Sequence, residues 1–222
     1  MNKPITSGFI ALALLISAPT FTRAQGTIYL SNLGATPSGS LAVASDAWVA
    51  TDFSTGTNAG GYILNSIQLG MADASGAPSG FSVMLYTDVG KAAPYPGTSL
   101  GSLSGSENPS TTGVYTYTPT GDLLLSARTA YYIVVSAGTP AAEGAYRWNY
   151  AGTWSYNRID GWNGIYPYLS SDGSSWTKNG LPVAFPLFGV NATPEVPEPS
   201  GTALLLLGGF WVARRGTLRR RA

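Results

Sequence analysis

The chain has 222 residues, contains neither Cys nor His, and is rich in glycine and proline, with 28 and 15 residues. Without Cys there is no disulfide and no thiolate nucleophile. Without His, a Ser-His-Asp triad and the usual Cys and His zinc sites are excluded. Only 10% of the residues are charged, which is unlike a coiled coil or a helical bundle. The chemistry that is left uses carboxylates, other oxygen ligands and aromatic rings, and we expect no cofactor.

The charges are unevenly distributed, because the basic residues gather at the two ends of the chain. Residues 25–193 contain five basic and nine acidic residues and carry a net charge of −4. Nucleic-acid binding requires a basic surface. We therefore expect no nucleic-acid partner.

The first 24 residues have the three parts of a secretory signal peptide. Lys3 supplies the positive charge, residues 9–16 form a short apolar core, and residues 22–24 form a small-x-small cleavage site. The alternative is a membrane anchor, but a spanning helix needs about 20 apolar residues. The pattern predicts export and cleavage after Ala24.

The C-terminal region also has three parts. It begins with a stiff polar motif formed by Val196, Pro197, Glu198 and Pro199. An apolar run over residues 201–213 follows, which as a helix reaches only about 20 Å of a ~30 Å bilayer core. The chain closes with a basic cluster that consists of Arg214, Arg215, Arg219, Arg220 and Arg221. Such a cluster stays on the cytoplasmic side, so the pattern predicts a short sorting anchor with the body outside.

This order of motif, apolar helix and arginine cluster over residues 196–221 resembles the PEP-CTERM sorting signal. The resemblance implies a Gram-negative bacterium, transient insertion into the inner membrane, and recognition by an exosortase-type membrane protease that removes the tail near the motif. It further implies delivery to the cell surface or to the exopolysaccharide matrix. An ordinary single-pass tail is the alternative.

Residues 25–193 are predicted to form one all-β domain, because period-two alternation recurs and no helical period is sustained. Residues 63, 67, 69 and 71 are apolar and predict one face of a strand, with polar Asn65 as the exception. Residues 81, 83 and 85 predict a second such face. Residues 131–135 are apolar throughout, as in a strand that is covered on both sides. Residues 183–190 predict a closing strand with an edge or bulge at Pro186.

Turn signals separate these runs, at residues 73–76, 78–80 and 172–173 among others. Many short strands at this spacing predict a single β-sandwich of jelly-roll type. Residues 194–200 are rich in proline and predict an extended linker.

The body of the chain, residues 25–193, contains motifs that resemble a second known family. The resemblance is carried by NAGGYILNSI at residues 58–67, PSGFSVMLY at 78–86, GTSLGSLSG at 97–105, YYIV at 131–134 and SSDGSSW at 170–176. Over most of residues 40–192 the sequence resembles the choice-of-anchor R domain. The resemblance implies a bacterial surface protein that carries one of several C-terminal anchors, and it implies no catalytic residues.

Aromatic residues are concentrated in residues 146–176, where nine of 31 positions are Tyr or Trp. Flat aromatic rings stack on sugar faces while carboxylates and amides bind sugar hydroxyls, but large rings also fill cores. We take Trp154 and Trp162, with Asp160 and Asn163 between or beside them, as candidate glycan-binding residues at loop tips. Trp148 alternates with Tyr146 and Tyr150 and is predicted to lie in the core.

Two acidic segments offer carboxylates for other chemistry. Asp160-Gly161 and Asp172-Gly173 are either Ca²⁺ loops or turns, and the missing alternating Asp ligands favour turns, so we propose no metal site. Glu107 and Glu143 are the only glutamates of the body and nothing pairs them. The sequence thus favours a non-catalytic structural or adhesive surface protein that contacts exopolysaccharide. The alternative is a secreted carboxylate-dependent glycoside hydrolase.

Overall fold

The computed structural model describes residues 26–90, 95–178 and 184–196. Within these ranges the protein is all-β, with no helix, which confirms the predicted class. The strands are β1 (Thr27–Ser31), β2 (Gly39–Val43), β3 (Trp48–Ser54), β4 (Tyr62–Gly76), β5 (Ser82–Asp88), β6 (Pro96–Ser104), β7 (Gly113–Pro119), β8 (Leu124–Leu125), β9 (Ala130–Ser136), β10 (Gly144–Ala151), β11 (Asn157–Arg158), β12 (Asn163–Ser170), β13 (Thr177–Lys178), β14 (Phe185–Pro186) and β15 (Phe188–Pro194). The signal peptide and the C-terminal apolar helix lie outside the described residues.

The strands form one curled sheet whose pairings are antiparallel throughout the described residues. Its main path runs β11-β1-β15-β4-β7-β6-β5-β9-β3-β12-β13, while β10 pairs with β2, β4 and β14, and β8 pairs with β4. We call the part from β11 to β7, with β2, β8, β10 and β14, the first section, and the part from β6 to β13 the second section. The sections join where Leu103 faces Pro119 and Ser104 faces Thr118.

One apolar core is shared by both sections. It contains Leu30 and Val190 from the first section and Phe53 and Ile133 from the second. Close approach of the two sections depends on Gly164 in β12. A Cβ atom there would lie 3.1 Å from the Phe188 ring and 3.2 Å from a Leu30 methyl group, a distance at which the neighbours would have to move.

Strand β9 is buried along almost its whole length, as the apolar run predicted. Tyr131, Ile133 and Val135 point into the shared core. Tyr132 and Val134 alternate with them and therefore point to the other side of the sheet, where they belong to a second buried cluster. The second section is thus covered by side chains on both faces.

Strand β4 departs from two predictions. Ile67 is buried but Ile63 is not, because a bulge shifts the register of β4 against β15 between Leu64 and Ser66. The extra residue at the bulge is Asn65, and a one-residue shift moves the preceding side chains to the opposite face. The predicted turn at residues 73–76 is also wrong, because β4 continues to Gly76 and pairs with β10. The turn falls instead at the following residues, before Phe81.

The predicted face at residues 81, 83 and 85 is confirmed, and the predicted closing strand is found in two pieces. Phe81, Val83 and Leu85 are all buried, as the alternation indicated. The predicted closing strand over residues 183–190 is divided into β14 and β15, which meet at Leu187. Leu187 leaves the ladder because its amide donates to the Asn149 carbonyl and its carbonyl accepts from Gly70.

Candidate functional site

Trp162 lies in the core, and the expectation that it faces solvent from a loop tip is wrong. Its side chain is fully buried. The indole stacks on Tyr29 with ring centroids 5.2 Å apart and meets Tyr62 edge-on at 5.0 Å. Asp160 and Gly161 both have positive φ, 54° and 78°, and this left-handed turn directs the indole inward at the start of β12.

Asp160 holds that turn in place. Its carboxylate accepts hydrogen bonds from the Tyr62 hydroxyl and, at 2.8 Å, from Thr57 Oγ1. These two bonds, the Tyr62 bond foremost, lower the pKa of Asp160 below its ordinary value. Burial and then the bond to Asp160 raise the pKa of Tyr62. The carboxylate already has two protein partners, and this geometry indicates a structural role.

Trp154 and Asn163 are brought together at the surface by a residue that the sequence interpretation did not single out. Trp154 is 54% exposed. The Arg158 guanidinium lies 5.6 Å from the centre of the Trp154 ring, and its Nη1 donates to Asn163 Oδ1 at 3.1 Å. We call Trp154, Arg158 and Asn163 the Arg158 cluster. It offers an exposed ring, a cation and an amide.

The second acidic segment forms a turn. Asp172 Oδ1 accepts from the Ser174 amide at 2.8 Å and from the Ser175 amide at 3.1 Å, and these bonds strongly lower the pKa of Asp172. The bonds are those of an Asp that caps its own turn. Gly173 follows with φ of 74° and lies against the Trp48 ring. In the described residues no three Asp or Glu side chains are placed to hold one metal ion.

A second aromatic cluster lies on the outer face of the second section, away from the shared core. The sequence interpretation did not name it as a site, although the apolar run of β9, covered on both faces, was its signal. Its buried members are Ala50, Tyr132, Val134 and Tyr168, and the half-buried side chains packed against them are Trp48, Met84, Tyr86, Tyr95 and Trp176. We call these residues the outer cluster.

Two carboxylates border the outer cluster. Tyr132 lies opposite Asp52 on β3 and opposite Tyr86 on β5, and Asp88 is two residues beyond Tyr86. Burial raises the pKa of Tyr132, and the negative charges of its neighbours, Asp52 and Asp88 among them, raise it further. Asp52 Oδ1 accepts from the Tyr166 amide at 2.7 Å. Asp88 Oδ1 is buried and has no hydrogen-bond partner within the described residues.

An open groove of about 570 Å³ lies beside Trp48, at one edge of the outer cluster. Its apolar lining residues are Leu41, Ala42, Ala47, Trp48 and Leu169, and its polar lining residues are Asp46, Ser170, Ser171, Ser175 and Thr177. The groove thus combines an indole, several hydroxyls and one carboxylate. It has the size of many small-molecule sites.

Little of the sorting region falls within the described residues. The amide of Glu195 donates to the Gly61 carbonyl at 2.9 Å, and Val196 after it is 74% exposed. Pro197, Glu198, Pro199 and the arginine cluster lie outside the described residues. In the described parts of the chain no helix has the length and apolar character needed to span a membrane.

Comparison with known proteins gave no match: no family model fits the chain, and no curated protein or solved structure is significantly similar to it.

Proposed function

We propose that this chain is an exported, non-catalytic protein of the cell surface or extracellular matrix that contacts acidic exopolysaccharide. Its sequence resembles an exosortase substrate, and this resemblance implies delivery to the cell surface or the matrix. The observation that carries the glycan contact is the Arg158 cluster, where a half-exposed indole lies beside a guanidinium. That combination suits a uronic acid unit.

Each member of the cluster has a distinct part in the contact. The Trp154 ring stacks on the apolar face of the sugar. The bond to Asn163 uses one of the five N–H donors of the Arg158 guanidinium. The guanidinium pairs with the sugar carboxylate, since the two groups match in a bidentate pair. The Asn163 amide fixes the guanidinium and binds a hydroxyl. Because residues 25–193 carry a net charge of −4, the attraction between guanidinium and carboxylate acts locally at Arg158 and not through the field of the whole protein.

The test is affinity electrophoresis of the full chain in gels that contain polygalacturonate. Trp154→Ala and Arg158→Ala should each weaken retention roughly fivefold or more, as expected for the loss of about 1 kcal/mol. Tyr166→Ala is the control, because Tyr166 is 39% exposed but Lys178 Nζ lies only 3.2 Å from the centre of its ring and covers that face. Its retention should equal that of the wild type. Equal retention of wild type and both cluster variants would contradict the proposal.

The sorting part of the proposal has its own test. We propose that the protease reads Pro197-Glu198-Pro199 and that the tail does not persist in the mature protein. The support is the three-part tail with its short apolar run. Intact-mass analysis of the surface form should give a protein without Arg219 to Arg221. A surface form that still carries these arginines would favour the single-pass tail.

We also propose that the two sections of the curled sheet face each other as a β-sandwich with jelly-roll connections. Trp162 of the second section packs on Tyr29 and Tyr62 of the first, and Gly164 approaches Phe188. Both contacts cross between the sections. Nuclear Overhauser effects between the Gly164 Hα and the Phe188 ring would test this arrangement, and their absence would overturn it.

Glycoside hydrolysis is the second candidate function, and the two carboxylates beside the outer cluster favour it. Asp52 and Asp88 flank the buried phenol of Tyr132, and a carboxylate pair is what most glycosidases use. Release of reducing ends from polysaccharide by the wild type, abolished in Asp52→Asn and Asp88→Asn, would establish this activity. Retention on polysaccharide without any release would support binding alone.

A further inference from the structure

The groove beside Trp48 is a second site, separate in its lining residues from the Arg158 cluster. We propose that it binds a neutral pyranose unit of a polysaccharide, with the Trp48 indole as the stacking surface. This inference goes beyond the proposed contact with acidic sugar. It makes the chain a bivalent binder of two chemically different glycan units.

Trp48 is held in a fixed orientation, as a stacking platform requires. Its Nε1 donates to the Ser45 carbonyl at 3.0 Å. Gly173 lies directly against the six-membered ring, and a Cβ atom at Gly173 would be 2.7 Å from Trp48 Cζ3. Because the ring is fixed before a ligand arrives, little conformational freedom is lost on binding.

The polar lining residues offer hydroxyl groups to a ligand. Ser171, Ser175 and Thr177 are exposed and line the groove, and a hydroxyl both donates and accepts hydrogen bonds. Asp46 Oδ1 accepts a hydrogen bond from the Ala141 amide at 2.8 Å. A carboxylate has further lone pairs to accept from a sugar hydroxyl. Sugar rings offer this combination of an apolar face and a rim of hydroxyls.

The charges that line the groove favour a neutral sugar over a uronic acid. Among the described residues, its lining contains one carboxylate, Asp46, and no cationic side chain. A uronic acid would bring its negative charge next to Asp46 without a compensating cation, which is unfavourable in a partly desolvated site. A neutral sugar carries no such penalty. The groove and the Arg158 cluster are therefore expected to prefer different sugars.

Indole NMR distinguishes the two sites in a single experiment. The chain has six tryptophans, so ¹⁵N-labelled full-length protein gives few, assignable Nε1–H signals. Titration with neutral hexasaccharides of glucose, mannose or galactose should shift the Trp48 signal and leave the Trp154 signal unchanged. Titration with hexagalacturonate should do the reverse. If hexagalacturonate shifts the Trp154 signal but no neutral hexasaccharide shifts the Trp48 signal, this inference is overturned and the proposed function stays intact. If a neutral hexasaccharide shifts the Trp48 signal but hexagalacturonate does not shift the Trp154 signal, the proposed function is overturned and this inference stays intact.

A variant that fills the groove gives the second readout. Ser175→Tyr keeps the backbone amide that bonds to Asp172 and places a ring in the groove without a change in the core. It should weaken binding of the neutral hexasaccharide at least tenfold and leave hexagalacturonate binding unchanged. Val114→Tyr is the control for an added tyrosine, because Val114 is 55% exposed on β7 and lies outside the groove lining. No Trp48 shift with any of the three sugars, or wild-type affinity in Ser175→Tyr, would overturn the proposal.

Discussion

The indole of Trp162 lies parallel to the ring of Phe53, with an interplanar angle of 2° and ring centroids 5.8 Å apart. Phe53 belongs to β3, and Trp162 immediately precedes β12, the strand that pairs with β3. The stack therefore connects the Asp160 turn to the core of the second section. Trp154, in the same aromatic segment, is 54% exposed, and the contact described for its ring is with the Arg158 guanidinium.

Replacement by alanine should lower the free energy of unfolding much more at Trp162 than at Trp154. We expect Trp162→Ala to lower the free energy of unfolding by about 3–5 kcal/mol, because a large buried ring is lost and a cavity remains. Trp148→Ala should cost a similar amount, since Trp148 is equally buried and its Nε1 donates to the Leu187 carbonyl at 2.9 Å. Trp154→Ala should change stability by no more than about 0.5 kcal/mol. Urea denaturation of the three variants measures this, and equal losses in all three would contradict the assignment.

Acid should weaken the Asp160 turn. The pKa of Asp160 is lowered in the folded state by its bonds to Tyr62 and Thr57, so the unfolded chain binds the proton more readily. The stabilisation is present above the unfolded pKa of about 4 and is lost as the pH falls through the lower folded value. Denaturant unfolding measured from pH 7 to pH 2 should show a smaller fall in the free energy of unfolding for Asp160→Asn than for the wild type.

The partner of that carboxylate supplies the control. Tyr62→Phe removes the same hydrogen bond from the other side and should flatten the acid dependence as well. The double variant with Asp160→Asn should not add the two effects, because both changes remove one interaction. Full additivity would mean that the hydrogen bond seen here does not stabilise the turn.

Gly173 should tolerate no side chain. Its φ is 74°, and a Cβ atom would meet the Trp48 ring. Gly173→Ala should lower the free energy of unfolding by about 1–2 kcal/mol from backbone strain alone, and should change the near-ultraviolet circular dichroism as Trp48 moves. Gly121→Ala is the matched control, since a Cβ there meets nothing within 4 Å and should leave stability unchanged or raise it by up to about 1 kcal/mol. Similar spectra and stabilities for both variants would contradict the packing of Gly173 on Trp48.

Folding should be independent of redox state and of transition metals. The chain has no Cys and no His, so a reductant has no bond to break and zinc lacks its usual ligands. Differential scanning calorimetry with and without a thiol reductant and a chelator should give the same thermal midpoint. A fall in the midpoint with chelator that only Ca²⁺ reverses would instead assign a Ca²⁺ role to the turns at Asp160 or Asp172.

The local part of the fold was predictable because side-chain alternation depends on neighbours in sequence. The burial of Phe81, Val83 and Leu85 follows from period two. The β4 bulge was signalled only by Asn65 in an otherwise apolar face, because a bulge depends on the partner strand β15. The extension of β4 to Gly76 has the same cause, since pairing with β10 overrides local turn residues.

The sequence by itself determined that this chain is all-β, without thiol or imidazole chemistry, because composition and alternation are properties of the chain alone. Tertiary structure decided which tryptophans are available for binding. Trp154 and Trp162 have similar polar and glycine neighbours in sequence, but Trp162 is fully buried among rings from β1, β3 and β4 whereas Trp154 is 54% exposed. Trp48 likewise acquires its groove from residues of β2, β12 and β13. Burial and groove formation depend on which distant segments the sheet brings together, and no local pattern encodes that.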